Sequence, residues 1–351
     1  MRPSSQPPED PGAPARAERA APAERAAPAD PSADGALDDR NAHWQRAFTE
    51  RAAAHWTPAR TAELAAGKAL LLPPAEAAPL LRAMGLLHRD ASMPPRQVRK
   101  YWQVSHMVTL LGAQVRALLA AHGEASLLDA GCGRSYLSMA LAWVAQRRWA
   151  GRVRILGVDR NPALVEACRQ RAEQAQLGDV MTFRAAALDE LDGAEAAGGP
   201  VHAVLSLHAC DTATCDAIAL GVRHGADLIA VAPCCQAELA RGWAQLAERE
   251  VTEEPAAAFR SIWTTPHLRR ETAADLTDAM RALLLRACGY QVSAIEFVPA
   301  EHTRKNTLLR AERVAGTAAQ RGAALAEYHA LVQATGGIGL SLAHRLPLSS
   351  M

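Results

Sequence analysis

The spacing of apolar positions changes character near Ala125. Upstream, from Asn41 to about His122, large apolar residues such as Trp44, Phe48 and Trp56 fall among Ala and Arg, and Pro58, Pro73-Pro74 and Pro94-Pro95 interrupt the run. This predicts a set of helices separated by proline breaks. After Pro95, the polar and apolar positions from Arg96 through Tyr101, Val104, Val108, Leu111, Val115 and Leu118 keep helical spacing, which predicts one long amphipathic helix. Arg96, Arg99, Lys100 and Gln103 lie close together on it. Downstream, short apolar runs alternate with helical stretches. Ser126–Asp129 reads as a buried strand, followed by Gly131-Cys132-Gly133 and a helix from about Ser135 to Gln146. Val153–Val158 is a second strand, with Asp159 at its end and a helix over Pro162–Gln176. Further strands are expected at Met181–Ala185, Ala203–Leu207 and Asp227–Val231, and a helix at Glu271–Ala287. The last two strands, Tyr290–Phe297 and Asn306–Ala311, are joined by a link too short for a parallel crossover, so they are expected to pair antiparallel. The fold class is α/β, with a seven-stranded, mostly parallel sheet. The chain divides into a tail (1–40), a helical N-terminal region (41–122), the α/β domain (123–313) and a helical C-terminal tail (314–351).

Composition sharpens this picture at three points. The tail to residue 40 is Ala, Pro, Glu, Asp, Arg and Ser with almost no large apolar residue, so it is expected to be disordered and solvated. With 38 Lys+Arg against 37 Asp+Glu the net charge is +1, which argues against a generally basic nucleic-acid binder and leaves room only for a local basic patch. The seven cysteines are odd in number and include the vicinal pair Cys234-Cys235, a poor start for a disulfide framework. A reduced, cytoplasmic compartment follows, and neither a secretory signal nor about 18 uninterrupted apolar residues suggests a membrane. The sequence points to no obligate protein partner.

The first strand-to-helix turn, Asp129-Ala130-Gly131-Cys132-Gly133, is the strongest chemical signal. Open α/β sheets bind ligands at the carboxyl ends of their strands, where glycine permits close backbone approach. A dinucleotide fingerprint would place a third glycine where Tyr136 stands, and its acidic residue about 20 positions on; Asp159 comes later. An Asp before the glycines would also oppose a pyrophosphate. It suits S-adenosyl-L-methionine, which carries a sulfonium, an ammonium and a ribose diol but no phosphate. Asp129 would face the ammonium, Asp159 the ribose hydroxyls, and the small apolar residues Ala186, Ala187 and Leu188 the adenine.

Four motifs then occur in order: Asp129-x-Gly131-x-Gly133-x-x-Tyr136-Leu137-Ser138, Leu207-His208-Ala209-Cys210-Asp211-Thr212, Ala232-Pro233-Cys234-Cys235-Gln236, and Glu301-His302-Thr303-x-Lys305-Asn306. Over roughly Pro94–Arg313 they resemble the class I S-adenosylmethionine-dependent methyltransferases, in the group of bacterial "methyltransferase domain" proteins and eukaryotic methyltransferase-like and glutathione-transferase-C-terminal-domain-containing proteins. The tRNA acceptor-stem methyltransferases look more distantly similar, and Lys100-x-x-Gln103 matches a short motif carried before the sheet. The resemblance implies a Rossmann-like fold and a cofactor set of Asp129, Gly131, Gly133, Tyr136, Asp159, Ala186, Ala187 and Leu207. The acceptor follows only by association; RNA, tRNA or rRNA, is the preferred one, with a protein or a small molecule as competitor, and a non-catalytic binding module as the reading from another class.

Candidates for the chemistry lie in the two loops after the fourth and fifth strands. His208 is a candidate general base, with Asp211 to orient it or to bind substrate. Cys234 is a candidate nucleophile of the kind that adds to a pyrimidine ring. Both have a plainer reading, His208 as a wall of the cofactor pocket and the thiols as small apolar packing. A thiolate–imidazole zinc set from His208, Cys210, Cys215, Cys234 and Cys235 is disfavoured by adjacent cysteines and the lack of a C-x₂-C pair, so no metal is assigned. Lys100, Gln103, His302 and Asn306 are the candidate substrate contacts.

Overall fold

The computed structural model describes residues 31–191, 199–207, 209, 211–233, 235–248, 256–297 and 306–348. The chain divides into two units, Met1–Ala42 and His43–Met351, and the sheet lies wholly in the second. Helix α1, Pro31–His55, begins inside the segment expected to be disordered. Proline at a first helical position costs nothing, since the missing N–H has no intrahelical partner there. The same proline start recurs in α2 (Pro58–Ala65) and in the long helix α4 (Pro95–His122); between them lies the short α3 (Ala78–Ala83).

The α/β part then runs β1 (Glu124–Ala130), α5 (Tyr136–Arg148), β2 (Arg152–Asp159), α6 (Pro162–Gln174), β3 (Met181–Ala185), β4 (Ala203–Ser206), α7 (Thr212–Arg223), β5 (Leu228–Val231), α8 (Glu238–Ala247), α9 (Arg260–Thr264), α10 (Pro266–Ala287), β6 (Tyr290–Glu296), β7 (Thr307–Arg313) and α11 (Ala318–Ala334). Helix α10 starts five residues before the predicted Glu271, again on a proline. The seven strands form one sheet in the order β3-β2-β1-β4-β5-β7-β6. The first five are parallel and β7 is antiparallel to both neighbours, as the short final link required. Burial on both faces explains why β1, β4 and β5 read as continuous apolar runs.

Alternate residues of each strand feed two cores. One face carries Ala125, Leu127, Val153, Ile155, Ala203, Leu205, Leu228 and Ala230, covered by α3 to α6 together with Phe48 and Ala52 of α1. The other carries Leu128, Leu156, Val158, Val204, Ile229 and Leu309, covered by α7, α8, α10 and α11. Helix α4 buries Tyr101, Val104, Met107, Val108, Leu111, Val115 and Leu118, the stripe that its sequence predicts. Among the described residues it is the one helix long and apolar enough to cross a membrane, and half of that window is buried inside the fold. Its Gly112 leaves room for the Trp149 ring; a Cβ there would lie 3.2 Å from Cζ2.

The C-terminal segment belongs to the second core. Tyr328 and Val332 of α11 are buried, the Tyr328 hydroxyl accepts from Leu340 N at 3.0 Å, and Trp243 Nε1 donates to the Thr335 carbonyl at 2.9 Å. Full burial of a side chain as large as Trp243, whose indole N–H is paired, stabilises the fold by about 1.5–3 kcal/mol. Proximity to α10 in space, which the sequence does not display, turns the tail into part of the domain.

Candidate active site at the carboxyl edge

Strand order reverses between β1 and β4, and in open α/β sheets the ligand crevice lies outside the carboxyl ends at such a switch point. The two loops that leave these strands touch. Gly131 has φ +71°, and a Cβ added to it would lie 3.3 Å from Ala209 Cβ of the β4 loop. Ser206 Oγ donates to the Ala130 carbonyl at 2.8 Å and locks the two strand ends together. Glycine is needed at 131 for both reasons, left-handed backbone and close approach.

Two carboxylates shape the glycine turn. Asp129 is buried, and its Oδ2 accepts from the hydroxyls of Ser135 at 2.8 Å and Ser138 at 2.6 Å. Asp129 therefore fixes the first turn of α5, which starts from Ser135 in a left-handed conformation with φ +53°. Asp159, at the end of β2, accepts from Gly133 N through Oδ2 at 3.0 Å and from Asn161 N through Oδ1 at 2.9 Å. Asn161 in turn caps α6, accepting from Ala163 N at 3.0 Å. A carboxylate has about four acceptor positions, so Asp159 is oriented by two backbone donors and keeps capacity for two more. Half-buried Ala186 and Ala187 follow β3, and Ala186 N donates to the Asp159 carbonyl at 3.2 Å. Half-buried Leu207 follows β4 on the same edge.

Tyr136 opens α5 at the rim. The Lys100 ammonium lies 3.8 Å from its ring centroid, and Arg134 donates to its hydroxyl at 3.3 Å. Burial would raise the phenol, but the Arg134 hydrogen bond and the charges of Lys100 and Arg134 outweigh it and hold it below the ordinary tyrosine value. The structure thus brings Lys100, from a helix far back in sequence, to the glycine turn. Gln103, one turn further on, is exposed beside it. Asn306 immediately precedes β7, its side-chain amide donating to Glu296 at 2.8 Å and its backbone carbonyl accepting from Phe297 N at 2.9 Å.

The β4 and β5 loops are held by a polar set that sequence reading did not assemble. Asp211 accepts from Ala237 N and Glu238 N at 2.9 Å each and from Arg241 at 2.7 Å, and its own N–H donates to the Cys235 carbonyl. Burial would raise this carboxyl, but the Arg241 hydrogen bond and the two backbone donors hold it below the usual range. It stands at φ +55°, a strained position for a residue with a Cβ, and clasps the start of α8. Behind it Arg281, fully buried, donates to the Asp211 carbonyl at 2.8 Å and pairs with Asp278 at 3.1 Å, while Gln236 donates to Asp278 at 2.9 Å. His208, Cys234 and His302 lie outside the described residues, as does Cys210 of the zinc set. Among the described residues no three His, Cys, Asp or Glu cluster as a metal site would need.

Ser135, Ser138 and Cys168 were missed as site residues. The serines follow Asp129 by six and nine positions, one helical turn apart, and that spacing was the available signal. Cys168 gave none: it lies on α6 and reaches the turn only in space, its thiol donating to the Gly133 carbonyl at 3.2 Å. The Cys132 thiol is pushed up by its hydrogen bond with Cys168, then by burial and by Asp129.

Residues 99–242 match a family described as a methyltransferase domain. No curated protein matches the chain by sequence. Solved structures similar to it include an SAH-bound methyltransferase from Podospora anserina (10% identity, 68% of this chain and 86% of that one, TM-score 0.34). Two others are a geranyl diphosphate C-methyltransferase from Streptomyces coelicolor (15%, 62% and 86%, 0.32) and an rRNA methylase from Streptococcus thermophilus (10%, 57% and 95%, 0.34).

Proposed function

We propose that this chain, whose residues 99–242 match a methyltransferase-domain family, transfers a methyl group from S-adenosyl-L-methionine to RNA, tRNA or rRNA. The observation that carries the reading is Asp159. It is aimed into the glycine turn by Gly133 N and Asn161 N and keeps acceptor capacity at the edge where the strand order reverses.

The residues present fit the cofactor. Asp159 would accept from the ribose hydroxyls, Gly131 and Gly133 would let the backbone approach the methionine portion, and Ala186, Ala187 and Leu207 would face the adenine. Asp129 acts through Ser135 and Ser138, which fix the turn in its binding shape. The bound cofactor supplies an electrophilic methyl group on a sulfonium. What this chain contributes is alignment of the acceptor with that methyl, which reduces the entropic part of the barrier. Asp211 and Arg281 tie the start of α7 to the start of α8 on one side of the crevice. Lys100 and Arg134 make its rim positive beside Tyr136, which suits a phosphate-bearing acceptor. Free thiols at Cys132, Cys168, Cys215, Cys235 and Cys288 fit a reduced cytoplasm.

Two measurements test the proposal. Calorimetry with S-adenosylmethionine should give binding heat with the wild-type chain, and its absence would remove the premise. Incubation with methyl-labelled cofactor and total cellular RNA or lysate should place the label in RNA; label in protein or small molecules alone would overturn the acceptor.

A further inference from the structure

The outward face of α4 and the elements around it form an open groove of about 1550 Å³. Small-molecule pockets occupy about 300–1,000 Å³, so the groove is sized for an extended ligand. Its lining concentrates positive charge in a chain whose net charge is +1. Lys68, Arg96, Arg99, Lys100 and Arg116 all face it, and none of them forms an ion pair among the described residues. Nine arginines elsewhere do form ion pairs, at Arg148, Arg152, Arg154, Arg169, Arg241, Arg281, Arg310, Arg313 and Arg345, so the groove gathers cations that are left to solvent. Two half-buried tryptophans lie between the cations. Lys68 sits 5.2 Å from the Trp102 ring centroid and Arg116 sits 5.8 Å from that of Trp149.

We propose that this groove binds an unpaired RNA strand, its cations taking the phosphates and the faces of Trp102 and Trp149 taking bases. The choice of RNA rests on the acceptor reading above, while the groove's chemistry favours a single strand independently. Unpaired bases offer flat faces to aromatic rings, which a duplex hides within its stack and an acidic peptide lacks. From Arg96 to Arg116 the helix rises about 30 Å, at 1.5 Å per residue. That length accommodates several nucleotides, within the range of about 4–16 found for single-strand sites. Lys100, within this lining, lies against Tyr136 at the start of α5, beside the glycine turn, so a bound strand passes next to the cofactor edge.

The test uses the full chain and fluorescence anisotropy with a 12-nucleotide unstructured RNA. Parallel probes are the same RNA as a duplex, an abasic ribose-phosphate 12-mer and polyglutamate of equal charge. The single strand should bind tightest, with the abasic strand at least about fivefold weaker through lost stacking. The double variant Arg99→Ala/Arg116→Ala, at two exposed positions, should bind it about tenfold more weakly. The slope of log affinity against log salt should also fall by about 1.4, since each single-strand phosphate contact contributes about 0.7. Calorimetric affinity for S-adenosylmethionine should not change. Equal binding of duplex, abasic strand or polyglutamate overturns the proposal, as does unaltered RNA affinity in the double variant. RNA binding that depends on Arg99 and Arg116 without methyl label entering RNA supports the groove and removes only the acceptor reading. RNA methylated equally by wild type and double variant, with equal affinity, retains that reading and overturns the groove.

Discussion

Asp159 Oδ2 lies 3.0 Å from Gly133 N, so the carboxylate that ends β2 holds the turn that ends β1. Backbone donors from two loops orient one side chain, and a cofactor edge built from separate strands becomes a single unit. The first prediction concerns this residue. Asp159→Ala should weaken S-adenosylmethionine binding more than tenfold, because it removes the proposed ribose acceptor and frees the glycine turn. Asp159→Asn keeps one acceptor oxygen and should fall between. Isothermal calorimetry on folded protein checks both; equal affinity for all three chains would contradict the assignment.

Gly131→Ala places a Cβ on a residue with φ +71° and 3.3 Å from Ala209 Cβ. The left-handed backbone costs a non-glycine residue about 1–2 kcal/mol, and the contact forces the β1 and β4 loops apart. The melting temperature should drop, and the rise on adding S-adenosylmethionine should shrink, in the same thermal scan. A full ligand-induced rise would show that the turn tolerates the change.

At the opposite end of the sheet, His202 Nδ1 accepts from Ser126 N at 3.0 Å, and its ring stacks at 3.8 Å on His122, whose Nε2 lies 2.9 Å from Asp227. Protonated Nδ1 cannot accept. Burial first, then the neighbouring His122, hold the His202 pKa below its ordinary value of about 6.5. The native state therefore binds fewer protons here than the unfolded chain, and stability rises with pH through this window. Acidification below about pH 6.5 should lower Tm, and His202→Asn, whose amide oxygen can replace the acceptor, should flatten that part of the profile. An equally steep profile in the variant would place the acid sensitivity elsewhere.

Arg281 is a buried cation with an ion pair to Asp278 and a hydrogen bond to the Asp211 carbonyl. Arg281→Met removes the guanidinium both from its buried pair with Asp278 and from the Asp211 carbonyl, and loss of one partner of a buried pair costs about 3–5 kcal/mol. Urea denaturation followed by far-UV circular dichroism should show the shift. A change below about 1 kcal/mol would mean that the β4–β5 loop clasp does not depend on this guanidinium.

Much of the fold was legible because its signals are local. Alternation of strand and helix, the proline starts, the stripe on α4 and the short final link each constrain only a few neighbouring residues. The glycine turn was legible for the same reason, since Asp129, Gly131 and Gly133 are fixed by the backbone geometry of one loop. The partners of Asp211 were not legible, because Ala237, Glu238 and Arg241 lie 26 to 30 residues on at the start of α8, and a free carboxylate and a clasp look alike in sequence. The helical C-terminal segment read as an appendage for a similar reason: the surfaces that bury Tyr328 and Trp243 come from distant parts of the chain.

The sequence alone determined the order of elements, the antiparallel end of the sheet and the turn where a ligand would sit, all consequences of short-range sterics and hydrophobic period. Tertiary structure decided which of those parts meet. It brought Lys100 to Tyr136, Cys168 to Gly133 and Arg281 to Asp211, and it gathered Lys68, Arg96, Arg99 and Arg116 along one groove. A near-zero net charge hides such a groove because a sum over the chain carries no positions, whereas electrostatic attraction depends on distance and burial.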